Sequence, residues 1–246
     1  MRFNILGPLQ VEFGDDRSGH VQGKKQLLLA ALLLRANRSV SVDQISELMW
    51  GAEPPRSAVR NIRTYVWQLR SCFGFEGSRI VVTESGYLLS VLEGELDLEE
   101  FERLLRDGRA LLMAGKHSES AIELEKALTL WRGSPFGSAY LSDALRVEAA
   151  WISEKRISAF EDLMNVMLAL GRHREVVERV TLVLRDNKLR ESLHRIHIVA
   201  LSRSERQADA LKAYRALRNL LSSELAIEPC PALQALHHDL LEGNPV

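Results

Sequence analysis

The sequence predicts a mainly α protein in two parts: an N-terminal α+β winged helix-turn-helix over residues 1–92 and an all-α, tetratricopeptide-like helical repeat domain over residues 97–246. Three observations predict it. The first ninety residues alternate short β-rich runs with helical segments and close on a hairpin pattern. The remainder reads as helix almost throughout. That remainder also repeats itself, at offsets of 56 and 34 residues.

Taken in order, Arg2–Leu6 is a first strand, and Leu9, Val11 and Phe13 then alternate with Gln10 and Glu12 at the period of a half-buried strand. Gly14–Arg17 is turn-like, and Val21-Gln22 is expected to add a short strand to a small antiparallel sheet. Residues 24–37, dense in Leu and Ala, form the first helix. The apolar run Leu27–Leu34 ends at Arg35 and is too short to span a bilayer, so it reads as a core helix and no membrane partner is expected. Val40-Ser41-Val42 is a short strand or extended link, and Asp43 stands ahead of the apolar Ile45, Leu48, Met49 and Trp50 as a cap to the second helix. Gly51 and Pro54-Pro55 break the chain before the third.

The third helix, residues 56–73, carries the functional argument. At about 100° per residue, Val59, Ile62, Val66, Leu69 and Phe73 fall on one stripe, which should be buried. Arg56, Arg60, Arg63, Trp67 and Arg70 fall on a second stripe about a quarter-turn away, and Asn61, Thr64 and Gln68 widen that polar face. The helix holds four arginines and no acid. Arginine pairs bidentately with guanine or phosphate, while Asn and Gln read adenine, so one face suits a core and the other a DNA groove. A charge run is more often a plain solvated face, but solvated faces usually mix both signs. Lys24 and Lys25, opening the first helix, are candidates for contacts to the flanking phosphates. Beyond the Gly74–Gly77 stretch, Arg79–Thr83 and Tyr87–Val91 flank Glu84-Ser85-Gly86 as a hairpin, the wing of a winged helix.

Glu93–Asp97 is a short acidic link, and Asp97 with Glu100 resembles a capping box before Phe101, Leu104 and Leu105. Within the helical remainder, Gly115–Glu119 matches Gly171–Glu175, and Arg172, Glu175, Val177 and Val183 map onto Arg206, Asp209, Leu211 and Leu217. An interval of 34 is the tetratricopeptide length, and stacked helical pairs make concave protein-binding surfaces.

Charge separates the two parts. Residues 1–92 hold 11 Lys+Arg against 8 Asp+Glu; the rest hold 21 against 25. A basic front suggests a polyanionic partner. Cys72 and Cys230 form no framework and fit a reducing cytosol, so a cytoplasmic location is expected. His194 with His197, and His237-His238, lack the third ligand and the close spacing of a metal site. No phosphate-binding Gly-rich loop and no Gly-x-Ser-x-Gly elbow is present, so neither an enzymatic activity nor a cofactor is expected.

The ordered set of motifs resembles the Streptomyces antibiotic regulatory protein family. In the front half the resemblance rests on Phe3–Pro8, Lys25-Gln26, Ala36–Asp43, Leu48-Met49-Trp50-Gly51, Pro54-Pro55, Tyr65-Val66, Leu69-Arg70 and Gly86-Tyr87. In the back half it rests on Asp97-Leu98 with Phe101, Ala127-Leu128, Leu130–Gly133, Leu170–His173, Glu224-Leu225 and Ile227–Pro229. Such proteins join an OmpR-type winged helix to a bacterial transcriptional activator domain. The resemblance implies a recognition helix at 56–73 and a wing at 79–91. It also implies activation of secondary-metabolite (antibiotic) biosynthesis genes by binding promoter direct repeats in double-stranded DNA and recruiting RNA polymerase holoenzyme, as a homodimer or paired protomers. Two features depart from the family pattern: Glu84-Ser85 at the wing tip, where Glu84 repels phosphate, and Trp67-Gln68 in the helix, where a small residue and Arg are common. No receiver segment is expected ahead of the winged helix, nor an ATPase or phosphopeptide-binding extension behind it. The rival reading is a tetratricopeptide-type interaction scaffold whose basic module binds an acidic protein.

Overall fold

The computed structural model describes residues 1–14, 17–19 (backbone alone), 21–137 and 141–244. Asp15-Asp16 of the expected turn, and residues 138–140 of the stretch between repeats, lie outside the described residues. Among the described residues, two three-stranded antiparallel sheets and ten α-helices account for most of the structure. The first sheet holds β1 (Arg2–Asn4), β2 (Gln10–Phe13) and β3 (Arg17–Gly19) in that order. The strand expected at Val21-Gln22 is absent. The third strand sits earlier, paired Val11 to Gly19 and Phe13 to Arg17, and Gly23 at φ 68° then turns the chain into α1 (Lys24–Leu33).

Every residue of α1 from Leu27 to Leu33 is buried, which explains the continuous apolar run. The helix stops at Leu33, short of the expected residue 37. Asn37 takes a left-handed conformation (φ 62°) and bonds to the backbone of Leu89 and Val91. β4 (Val40–Ser41) follows and runs into α2 (Val42–Trp50). The cap of α2 is Ser41 in a full capping box with Gln44; Asp43, the expected cap, lies one turn position inside. α3 (Ala58–Phe73) and a 3-10 segment (Gly74–Arg79) lead to the hairpin β5 (Ile80–Val82) and β6 (Gly86–Leu89), with β6 central between β4 and β5. A Cβ on Gly86 would lie 2.0 Å from the Val40 carbonyl oxygen, so only glycine permits this pairing.

The helical part runs α4 (Asp97–Met113), α5 (His117–Thr129), α6 (Asp143–Ala169), α7 (His173–Leu184), α8 (Glu191–Arg203), α9 (Gln207–Leu225) and α10 (Pro231–Glu242). By compactness the chain divides into one unit of residues 1–105 with 126–157, and a second of 106–125 with 158–246.

The first unit therefore holds more than the winged helix, and hydrogen bonds show how. Arg132 and Phe136 donate their backbone N–H to the carbonyls of Leu6 and Ile5, at 2.8 and 3.0 Å. Gln26 Nε2 donates to the Phe136 carbonyl at 2.7 Å, and Arg35 meets Glu148 at 3.1 Å. At the centre stands Asp97, only 2% exposed, whose carboxylate accepts the N–H groups of Ile5 (2.8 Å) and Leu6 (3.0 Å) and faces Arg132 at 3.4 Å. Asp97 is thus not a helix cap, as the sequence had suggested. It is a tertiary acceptor for two buried donors left over by the Ile5–Leu6 turn, and Glu100 pairs with Arg103 instead. Burial pushes the Asp97 carboxyl above its ordinary range, and the two amides and Arg132 pull it only partly back. Glu95 nearby is held below the usual carboxylate range by Arg79 and the Leu92 amide, against the opposing effect of its burial.

The second unit bears out the internal repeat in backbone detail. Three inter-helix turns close with the same bond: Lys116 N–H to Leu111, Arg172 N–H to Met167 and Arg206 N–H to Leu201, at 2.9, 3.0 and 3.0 Å. This is the Schellman closure, which needs a left-handed residue. Gly115 (φ 73°) and Gly171 (φ 76°) supply it twice, and Glu205 (φ 63°) supplies it the third time. Each turn then carries an i,i+3 ion pair, Lys116–Glu119, Arg172–Glu175 and Arg206–Asp209. His194 and His197 are engaged with the Lys188 carbonyl and the Thr181 hydroxyl, and burial lowers both below the ordinary imidazole range. No cluster of metal-ligating side chains occurs among the described residues.

Asp97→Ala orphans two buried amide donors. The substitution should lower the unfolding free energy of the chain by about 2–6 kcal/mol, since each of the two stranded donors costs about 1–3. Chemical denaturation checks this; a change under 0.5 kcal/mol would show that Asp97 is incidental to the first unit.

Candidate nucleic-acid interface

Helix α3 sorts its residues sharply. Ala58, Ile62, Val66, Leu69 and Phe73 are buried, and Phe73 packs against Phe3 and Phe13 at ring distances of 6.1 and 6.3 Å. Val59, expected in this stripe, is 48% exposed, and Ala58 takes the core position. The periodicity could not decide between them, because the two stand equally far, about 50°, from the centre of the stripe. The smaller side chain fits inside.

The opposite side is cationic. Arg60, Arg63, Thr64 and Trp67 are exposed, Trp67 at 69%, and Arg56 is exposed just ahead of the helix. Asn61 and Gln68 are half-buried at its margin. The Asn61 amide donates to the Ser57 hydroxyl at 3.1 Å, and the Thr64 hydroxyl donates to the Arg60 carbonyl at 3.1 Å, so both are steadied by their own helix. Arg56, Arg60 and Arg63 make no ion pair or hydrogen bond through their guanidiniums among the described residues. Arginines elsewhere in the chain are commonly neutralised, as in Arg79–Glu76, Arg190–Glu161 and Arg218–Glu228.

Arg70 departs from the expected set. Its Nε donates to the Ile80 carbonyl at 3.0 Å and its Nη2 donates to the same oxygen. The guanidinium therefore ties the end of α3 to the first strand of the hairpin and is not presented outward. It positions the wing. Lys24 is exposed, with Nζ 5.8 Å from the centre of the Trp50 ring, and Lys25 is half-buried. At the wing tip Glu84 and Ser85 are exposed, while Val81 and Val82 of β5 show 45% and 62% of their surface.

These features define a class: a transcriptional regulator with an OmpR-type winged helix ahead of a helical activator domain. Comparison with known proteins gives the family. Residues 96–241 match the model for the bacterial transcriptional activator domain, and residues 16–89 match that for the transcriptional regulatory protein, C terminal. The chain is 30% identical to the regulatory protein DnrI of Streptomyces peucetius, over all of this chain and 93% of that one. It is 32% identical to the transcriptional regulator RedD of Streptomyces coelicolor, covering all of this chain and 72% of RedD. Its fold superposes with a TM-score of 0.90 on a structure described as Mycobacterium tuberculosis EmbR in complex with low affinity phosphopeptide, at 31% identity, spanning 100% of this chain and 66% of that one. The chain belongs to the Streptomyces antibiotic regulatory protein family, a family of transcriptional regulators. Among the described residues, no helix is long and apolar enough to cross a membrane.

Arg70→Ala should destabilise the chain by about 1–2 kcal/mol, the worth of a charge-assisted hydrogen bond that is partly open to solvent. A thermal melt unmoved by the substitution would return Arg70 to the set of outward-facing residues.

Proposed function

We propose that this chain is a sequence-specific DNA-binding activator whose α3 enters the major groove of promoter DNA. The observation that carries the reading is the acid-free face of α3, on which Arg60 and Arg63, with Arg56 just ahead of the helix, stand exposed and unpaired among the described residues beside a helix side that is buried. Unpaired guanidiniums on a rigid element suit guanine O6 and N7 or phosphate oxygens, and they lose little internal bonding on contact. Thr64, Gln68 and Asn61 add donors and acceptors along the margin. Arg70 contributes through the wing. Lys24 and Lys25 reach flanking phosphates, and Glu84 keeps the wing tip itself off the backbone.

Three free guanidiniums make a small footprint. Two protomers on direct repeats, about 10–10.5 bp apart, combine two such footprints on one face of the duplex. The helical repeats, a fold that commonly offers concave protein-binding surfaces, hold the pair and recruit RNA polymerase holoenzyme. Membership of the family supports secondary-metabolite biosynthesis genes as the targets, and a DNA target places the protein in the cytoplasm. No cofactor takes part.

Arg63→Ala tests the assignment. Because Arg63 is exposed, the variant should melt with the wild type, while mobility-shift titration on the cognate duplex should show a loss of about 1–3 kcal/mol, five- to 150-fold. Equal affinity of the two proteins would reject α3 as the reading helix. Tight binding to an acidic protein in place of duplex DNA would favour a scaffold.

A further inference from the structure

The exposed side of α3 is not purely polar. Val59, Arg63 and Trp67 follow one another at four-residue intervals, about 6 Å of rise apiece, so an arginine stands with an apolar group on either side of it. Both apolar groups are open to solvent, at 48% and 69%. The core has rejected Val59 in favour of Ala58, and no ring or cation packs on Trp67 among the described residues.

A phosphate backbone offers nothing to a valine side chain; it rewards donors and positive charge. The major-groove edges of the bases carry one apolar group, the C5-methyl of thymine. An apolar stripe interrupted by an arginine therefore matches a particular chemistry of base edges. Resting on the proposal that α3 lies in the major groove, we infer that Val59 and Trp67 are specificity-determining residues that meet two thymine methyl groups, on either side of a guanine held by Arg63. Arg60, beside Arg63 on the helix, and Arg56, just ahead of it, are then left for phosphate. Trp67 gives the larger contact, and its breadth sets how far from the guanine the second thymine lies.

Deoxyuridine isolates the methyl, since it keeps every hydrogen-bonding atom of thymine. Duplexes retained by the full chain from a randomised pool are first aligned to give the bound sequence. Each thymine is then replaced in turn by deoxyuridine, and each guanine by 7-deazaguanine, which lacks N7. Two thymines should each weaken binding about fourfold on losing the methyl, the worth of one buried carbon. They should flank a guanine whose 7-deaza form also binds more weakly. Val59→Ala should abolish the methyl dependence at one thymine and Trp67→Ala at the other; both side chains are exposed, so both variants should fold as the wild type does. Selective binding that ignores deoxyuridine at every position would overturn the inference while leaving DNA recognition by α3 standing. A pool that yields no preferred sequence would overturn both.

Discussion

Five side chains hold α3 in place, and the freedom of its other face depends on them. Ala58, Ile62, Val66, Leu69 and Phe73 turn one stripe of the helix into core. Each of the four larger ones contributes about 1.5–3 kcal/mol by leaving water, well beyond what an exposed ion pair supplies. The helix thus needs no polar contact on its far side to stay seated. Arg56, Arg60 and Arg63 can remain unpaired without cost to the fold, and an unpaired arginine on a fixed helix is ready for an outside partner. The acid-free composition of this helix is tolerable as well, because the repulsion among its arginines acts across water, where it is weak.

The core also determines what the helix is attached to. Asp97 gathers the Ile5 and Leu6 amides and Arg132, and the Arg132 and Phe136 amides bond back to the Leu6 and Ile5 carbonyls. The winged helix is consequently part of a compact unit that includes residues 126–157, inside the region matched by the activator-domain family model. Glu95 and Asp97, in the acidic stretch at 93–97, are structural acceptors within this unit.

Much of this was legible from the residues. The two-faced third helix, the hairpin after it, the short strand at Val40 and the 34-residue repeat all follow from local spacing, and local spacing is what periodicity reports. What stayed hidden depended on distant partners. Arg70 belongs by angle with the outward arginines, and only the Ile80 carbonyl, ten residues on, shows it to be a wing support. Asp97 reads as a cap because its true donors lie more than 90 residues earlier. Val59 and Ala58 are equivalent by angle, and volume decides between them. Glu205 in a glycine's conformation was invisible as well, since the repeat match at offset 34 begins one residue later, at Arg206.

The central claim is that an unneutralised guanidinium face meets duplex DNA. Its most direct test is the affinity of the full chain for its selected duplex, and for a scrambled one, measured across salt concentration. Log affinity should fall linearly with log salt, with a slope of about −2 or steeper as counterions leave the phosphates. The selected duplex should stay the tighter binder throughout. Affinity indifferent to salt, or equal for both duplexes at every salt concentration, would contradict the account.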